Sequence, residues 1–315
     1  MLKIDFVIPL FNEQETLESF HQMLEATKLP EGYSRRYLYI NDGSTDKTQS
    51  ILRKLAEGDS RMVVLEFSRN FGHQAALSAG LDAASGDVVI MMDGDGQHPP
   101  SLLPEMLRLH EGGCDVVQAR RLDETRSRGL FKRFTSSSFY LLLRAIGEIE
   151  LVEGASDFRL LSRRAVEALR QLPEYHRFLR GMTAWIGFTS AVVPYQASKR
   201  IAGDSKYSLR KMVRLAGDGI FSFSLVPLRI GLFLGFAFIV AAVFELLYIG
   251  TVWLGGGRDR LVPGWSSLVL ILTVSSAINM ILLGVLGVYV GNIFREVKRR
   301  PVYLIQSRIG DADSK

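Results

Sequence analysis

One cysteine, Cys114, stands among 315 residues. That count excludes a disulfide within the chain and a cysteine metal site. Two familiar nucleotide loops are missing as well. No Gly-x-Gly-x-x-Gly follows the first apolar run, and Gly-x-x-x-x-Gly-Lys-Ser/Thr occurs nowhere. A dinucleotide dehydrogenase and a P-loop NTPase are therefore not expected. No zinc-finger or RNP-type pattern is present, so nucleic acid is not an expected partner. Repeats and low-complexity tracts are absent, and only the tail after Ile309 reads as disordered. A secretory signal is not expected either, because Asp5, Asn12 and Glu13 interrupt the first apolar run too early.

What the chain does have is apolar length. It is 47% hydrophobic with a mean hydropathy of +0.13, and the excess sits in the C-terminal third. Leu228–Leu254 and Trp265–Phe294 each exceed the ~20 apolar residues that span a bilayer core. The second carries no charge, and the first, beyond Arg229 at its very start, carries only Glu245. A carboxylate inside a span is costly, so Glu245 is either functional or turned toward a neighbouring helix or subunit. The short link Gly255–Gly264 makes the pair a hairpin. Arg210, Lys211, Arg214 and Arg229 precede it, and Arg295, Lys298, Arg299 and Arg300 follow it. Positive charge at both flanks places the globular part in the cytoplasm, and a net charge of +5 suits an anionic membrane surface. Gly231-x-x-x-Gly235 and Gly287-x-x-x-Gly291 allow close helix contact, within the hairpin or in a homo-oligomer.

The N-terminal part alternates strand and helix. Lys3–Phe11, Tyr37–Ile40, Met62–Phe67, Asp87–Met92 and Asp115–Ala119 read as strands, with Glu13–Lys28 and Phe71–Ala84 as helices. That order predicts an α/β, Rossmann-like, mostly parallel sheet. The run Val88–Met92 is apolar throughout, as for a strand buried on both faces. It ends in Asp93-Gly-Asp95-Gly-Gln97 before Pro99 and Pro100. Two carboxylates spaced this way can converge on a hard cation such as Mg²⁺, at the strand ends where open α/β sheets bind ligands. A solvated turn is the alternative. Leu130–Ile146 and Arg210–Phe223 read as amphipathic helices at a membrane interface.

Taken in order, Pro9-Leu-Phe-Asn-Glu13, Asn41-Asp-Gly-Ser-Thr-Asp46 and Asp93-Gly-Asp-Gly-Gln97 resemble the family 2 glycosyltransferases of the GT-A fold. The remainder is similar to the polyprenyl-phosphate branch, which includes dolichyl-phosphate mannose synthases and bacterial GtrB-type glucosyltransferases. The resemblance implies a GT-A domain over residues 1–206, a juxtamembrane helix at 207–227, a transmembrane hairpin at 228–294 and a basic cytoplasmic tail at 295–315. It implies that Pro9, Phe11, Glu13 and Asp42 hold the base and ribose of a sugar nucleotide. Asp93, Asp95 and Gln97 would surround Mg²⁺ or Mn²⁺ on its diphosphate, with Arg200 and Lys206 closing over it. Asp157 would be the catalytic acidic residue, and Arg121, Arg133 and Ser137 would bind the acceptor phosphate. The implied reaction is inverting transfer of glucose from UDP-glucose to undecaprenyl or another polyprenyl phosphate. GDP-mannose, other UDP-sugars, or a non-catalytic lipid-phosphate scaffold or flippase component are the alternatives. His73, His98, His176 and Arg177 receive no role at this level.

Overall fold

The computed structural model describes residues 1–122, 155–172, 174, 177–196, nine positions between 233 and 254, and 264–310. The expected amphipathic helices at 130–146 and 207–227 lie outside these residues. So do Arg133, Ser137, Arg200 and Lys206. The described chain forms two compact units. One takes in the residues up to 196 together with 300–310, and the other holds the positions from 233 to 299.

The first unit is an eight-stranded sheet flanked by helices. Its strands are β1 (Leu2–Leu10), β2 (Tyr33–Asn41), β3 (Met62–Phe67), β4 (Val88–Met91), β5 (Val116–Arg121), β6 (Ala155–Ser162), β7 (Ser190–Tyr195) and β8 (Ile305–Ile309). The order across the sheet is β7-β5-β6-β4-β1-β2-β3-β8. Strands β3, β2, β1 and β4 are mutually parallel. Each is buried over most of its length, and the buried positions are mainly apolar, as in a strand covered on both faces. The crossovers are α1 (Leu17–Ala26), α2 (Thr48–Gly58) and α3 (His73–Ala83). Helix α3 approaches β1 and β2 so closely that a Cβ at Gly80 would lie 2.1 Å from Val7 Cγ1. Only glycine permits that contact.

Beyond β4 come α4 (Leu103–Glu111), α5 (Arg163–Arg170) and α6 (Leu179–Trp185). Ser162 caps α5, its Oγ accepting from Ala165 N. Strand β6 enters the sheet antiparallel between β4 and β5. Its amino end therefore lies beside the carboxyl ends of β1, β4 and β5. Pairing of Met91 with Arg159, continued two residues further, brings Asp93 abreast of Asp157 on one face.

The stretch 295–315, expected as a basic tail, is more structured than that. Helix α7 runs Trp265–Lys298, and Ile305–Ile309 then forms β8 antiparallel to β3. Five residues carry too weak an alternation to announce a strand. The open edge of β3 supplies the hydrogen bonds that make it one. In the second unit, α7 spans about 51 Å at 1.5 Å per residue. Its segment Val274–Lys298 has a mean hydropathy of 1.9, and its side chains are exposed or half-exposed. Among the described residues this is the one helix long and apolar enough to cross a membrane.

Candidate active site

The site forms where β1 and β2 end. Pro9 pairs with Ile40 and the buried Leu10 closes β1 beside Asn41, and Phe11 emerges half-exposed. The two exit loops are knitted together by short polar side chains. Asn12 N donates to Ser44 Oγ at 3.0 Å, and Asn12 Oδ1 accepts from Thr45 N at 2.8 Å. Glu13 N donates to Thr48 Oγ1 at 2.9 Å, and its carboxylate accepts from Thr16 Oγ1 at 3.0 Å. This is why Asn, Ser, Thr and Asp crowd both motifs: they satisfy backbone groups that leave the sheet together.

Asp42 is buried, and its carboxylate accepts from Phe71 N at 2.6 Å and Gly72 N at 2.9 Å. Burial raises its carboxyl above the ordinary value although those amides oppose the shift. Asp42 therefore fastens the β3–α3 loop, in which the Arg69 guanidinium covers the Phe71 ring at 3.9 Å.

The acidic cluster follows β4. Asp95 Oδ1 caps Gln97 N at 3.0 Å, turning the chain so that Asp93, Asp95 and Gln97 share one loop. Gln97 Oε1 accepts from Arg121 at 3.1 Å, so the end of β5 reaches the same place. His98, buried against the Phe158 ring at 5.1 Å, accepts from Asp93 N through Nδ1 at 2.9 Å. Its Nε2 then faces Asp93 Oδ2 at 3.6 Å.

Asp157 stands opposite, held on several sides. Arg180 makes a two-pronged contact, Nε to Oδ1 at 3.0 Å and Nη2 to Oδ2 at 2.9 Å. The fully buried Arg159 adds a bond to Oδ1 at 3.2 Å. His73, the first residue of α3, lies between the two carboxylates. Its Nε2 is 3.4 Å from Asp157 Oδ2 and 3.5 Å from Asp93 Oδ1. Like charges facing each other across a sheet repel, and His73 offsets that repulsion. Desolvation disfavours its charged form, but Asp93 and Asp157 outweigh it and push the imidazole up to about 9. Burial would raise the Asp157 carboxyl, yet Arg180 and His73 hold it well below the usual carboxylate range.

The residues fit a divalent cation. Asp93 Oδ1 is buried and makes no hydrogen bond, and the same loop carries the Asp95 carboxylate and the Gln97 amide oxygen, the oxygen donor types that Mg²⁺ and Mn²⁺ prefer. A second carboxylate cluster, His21, Glu25 and Asp59, already holds a cation. Arg61 contacts Glu25 at 3.1 Å and Asp59 at 2.7 Å.

Residues 5–170 match the model of Glycosyl transferase family 2. The chain belongs to this family. The family 2 sequence is 37% identical over 98% of its length, and 95% of the relative's, to the uncharacterized glycosyltransferase YkcC of Bacillus subtilis. It is 38% identical to the prophage bactoprenol glucosyl transferase homolog of Escherichia coli, covering 97% of this chain and 99% of that one. It is 39% identical to the SfII prophage-derived bactoprenol glucosyl transferase of Shigella flexneri, covering 97% and 98%.

Within this family 2 domain, Asp93, Asp95, Gln97, Arg121 and Asp157 come together, and Pro9, Phe11, Glu13 and Asp42 line the adjoining strand ends. His73 and Arg180 are residues that sequence reasoning passed over. His73 opens α3 directly after Gly72, at the end of the loop that leaves β3, a position that brings its side chain to the sheet's carboxyl end. Arg180 lies in Arg177-Phe-Leu-Arg180, a stretch to which no role is assigned from the sequence.

Proposed function

We propose that this glycosyltransferase moves glucose from UDP-glucose to a polyprenyl phosphate, with undecaprenyl phosphate the acceptor in a bacterial membrane. The observation that carries the reading is the facing pair Asp93 and Asp157, one with a buried oxygen that makes no hydrogen bond, the other held by Arg180, Arg159 and His73. Relatives named bactoprenol glucosyl transferases along nearly the whole chain support glucose and a polyprenyl acceptor.

Asp93, Asp95 and Gln97 would hold Mg²⁺ or Mn²⁺. That ion, when bound, supplies positive charge to the leaving diphosphate. Pro9, Phe11 and Glu13 would face the nucleoside, while Asp42 acts by fixing the loop behind it. Arg200 and Lys206 are proposed for the donor diphosphate, and Arg121, Arg133 and Ser137 for the acceptor phosphate. A phosphomonoester with a second pKa of ~6 is largely dianionic at neutral pH, so it attacks without a strong base. Asp157 is then better suited to positioning than to proton removal. A carboxylate accepting from two guanidinium groups binds protons poorly. Its charge fixes Arg180, which can present donors to a phosphate. Attack opposite the leaving diphosphate inverts the anomeric carbon.

Such an acceptor keeps its tail in the bilayer, and the exposed apolar surface of α7 supports membrane residence. The hairpin gains support from chain topology. Strand β8 follows α7 and lies in the same sheet as β1–β7, so the chain must return to the side it left. One crossing by α7 calls for a second before Trp265. The described positions between 233 and 254 are helical, with Phe233, Phe236, Phe244 and Leu247 exposed, which fits a span there. Cytoplasmic placement of the sheet rests on the basic flanks.

The test is incubation of purified protein with radiolabelled UDP-glucose, Mn²⁺ and undecaprenyl phosphate. Label should enter the organic phase. Its failure to do so with UDP-glucose but success with GDP-mannose would change the donor. Failure with every sugar nucleotide would favour a non-catalytic scaffold.

A further inference from the structure

Tyr303 sits between α7 and β8. Its ring stacks on Phe67 at the end of β3, with centroids 5.2 Å apart and planes 9° from parallel. Phe67 in turn meets Phe71 edge-on at 5.7 Å. The backbone of the same segment contributes too, since Ser68 N donates to the Leu304 carbonyl at 3.1 Å. From the other side, Asp42 receives the amides of Phe71 and Gly72. The loop Ser68–Gly72 is therefore held by two clamps, one from the exit of β2 and one from the chain that follows α7. Ser68, Arg69 and Asn70 are otherwise exposed, and Gly72 adopts a φ of +101°, open to any number of conformations if released. The residue after this loop is His73.

A second line leaves Tyr303 through its hydroxyl, which donates to Asp82 Oδ2 at 2.9 Å. Asp82 also accepts from Arg177 at 3.3 Å. Arg177 precedes α6, whose Arg180 grips Asp157. Both lines end on the carboxylates that face each other in the site.

We infer that Tyr303 is a positioning residue for the donor nucleotide. It sets the Ser68–Gly72 loop, and through that loop Asp42 and His73, so that the segment after the last helix tunes affinity for a nucleoside diphosphate. This rests on reading the carboxyl end of the sheet as a sugar-nucleotide site. The physical basis is preorganisation: a loop already held in its bound form costs less ordering on binding.

The experiment is calorimetric titration of the full-length, detergent-solubilised protein with UDP in the presence of Mn²⁺, alongside thermal melts. Tyr303→Ala should weaken UDP about fivefold, the value of one aromatic pair. Tyr303→Phe keeps the stack and should bind UDP nearly as the unaltered protein does. Ser307→Ala removes a hydroxyl bonded to Glu66 on the same short strand, and should leave UDP affinity unchanged whatever it does to the melt. Should Tyr303→Ala not fold, Tyr303→Leu replaces it, keeping bulk without the ring. Equal UDP affinity in the unaltered protein and the ring-deleted variant overturns the inference. So does an equal loss in Ser307→Ala, which would mark general loosening of β8. No UDP binding by the unaltered protein overturns the donor-site reading itself, and this role with it.

Discussion

Arg180 and Asp157 meet in parallel, each nitrogen of the guanidinium edge facing its own carboxylate oxygen at 3.0 and 2.9 Å. Such a fork fixes orientation as well as charge, and lysine cannot reproduce it. Arg180→Lys should lower the transfer rate roughly 10- to 100-fold, the worth of a hydrogen bond to a charged group. UDP affinity should stay unchanged. Steady-state kinetics beside a UDP titration separates the two, and an unaltered rate would remove Arg180 from the acceptor side of the site.

Asp157→Asn does two things at once. It removes the charge that faces the acceptor, and it leaves Arg159, fully buried, without its counterion. Breaking a buried pair costs about 3–5 kcal/mol, so the variant should melt earlier as well as lose transfer. Comparing the melt with that of Arg180→Lys tells the effects apart. A variant with unshifted melting would contradict the buried pairing described for Arg159.

His73 touches both carboxylates, so His73→Gln should act on both. Removing a cationic neighbour from Asp93 should make Mn²⁺ bind more tightly. Transfer should meanwhile fall about tenfold as Asp157 loses one of its donors. Electron paramagnetic resonance of free Mn²⁺ reads the first effect without turnover. Weaker Mn²⁺ binding would mean that His73 supports the ion's site instead of competing with it.

His21 predicts an acid sensitivity unrelated to catalysis. Its Nδ1 meets the Tyr39 hydroxyl at 2.8 Å, and its ring packs on Tyr37 and Tyr39. Burial lowers its pKa, although Glu25 and Asp59 pull upward and Arg61 adds to the lowering. With the folded value below an unfolded value of about 6.5, the unfolded chain takes up the proton first. Stability from this group is present above that value and is lost as pH falls toward the folded pKa. Melting temperature should therefore drop between about pH 7 and pH 5. The drop should be smaller in His21→Gln. Parallel curves for the two proteins would refute the assignment.

Membrane topology has its own test. Arg258 lies in the link between the two expected spans, while Cys114 belongs to the catalytic unit. In intact cells, an impermeant maleimide should label Arg258→Cys and should not label the parent protein at Cys114. Equal protection of both positions would mean that the link does not reach the far side.

Local pattern carried a good part of this protein. The apolar runs Phe6–Leu10, Tyr37–Ile40, Met62–Leu65 and Val88–Met91 and the Asn, Asp, Ser and Thr residues that follow the first two are short-range features. They were readable because a strand buried on both faces has little choice of residues, and because strand exits need side chains that satisfy freed backbone groups. The same logic marked Asp93 and Asp95. Strands β6, β7 and β8 escaped, since polar residues or a proline interrupt them and their pairing is settled by segments far away in sequence.

The chain's own letters determined an α/β sheet with acidic groups at its carboxyl edge and apolar helical length beyond it. Tertiary structure decided which distant residues meet there. Only the antiparallel entry of β6 brings Asp157 abreast of Asp93, and only the approach of α3 and α6 supplies His73 and Arg180 between and behind them. Only the unpaired edge of β3 draws the segment after α7 into the sheet. Each depends on register between segments far apart in the chain, and register is settled by packing and backbone pairing that no local run of residues encodes.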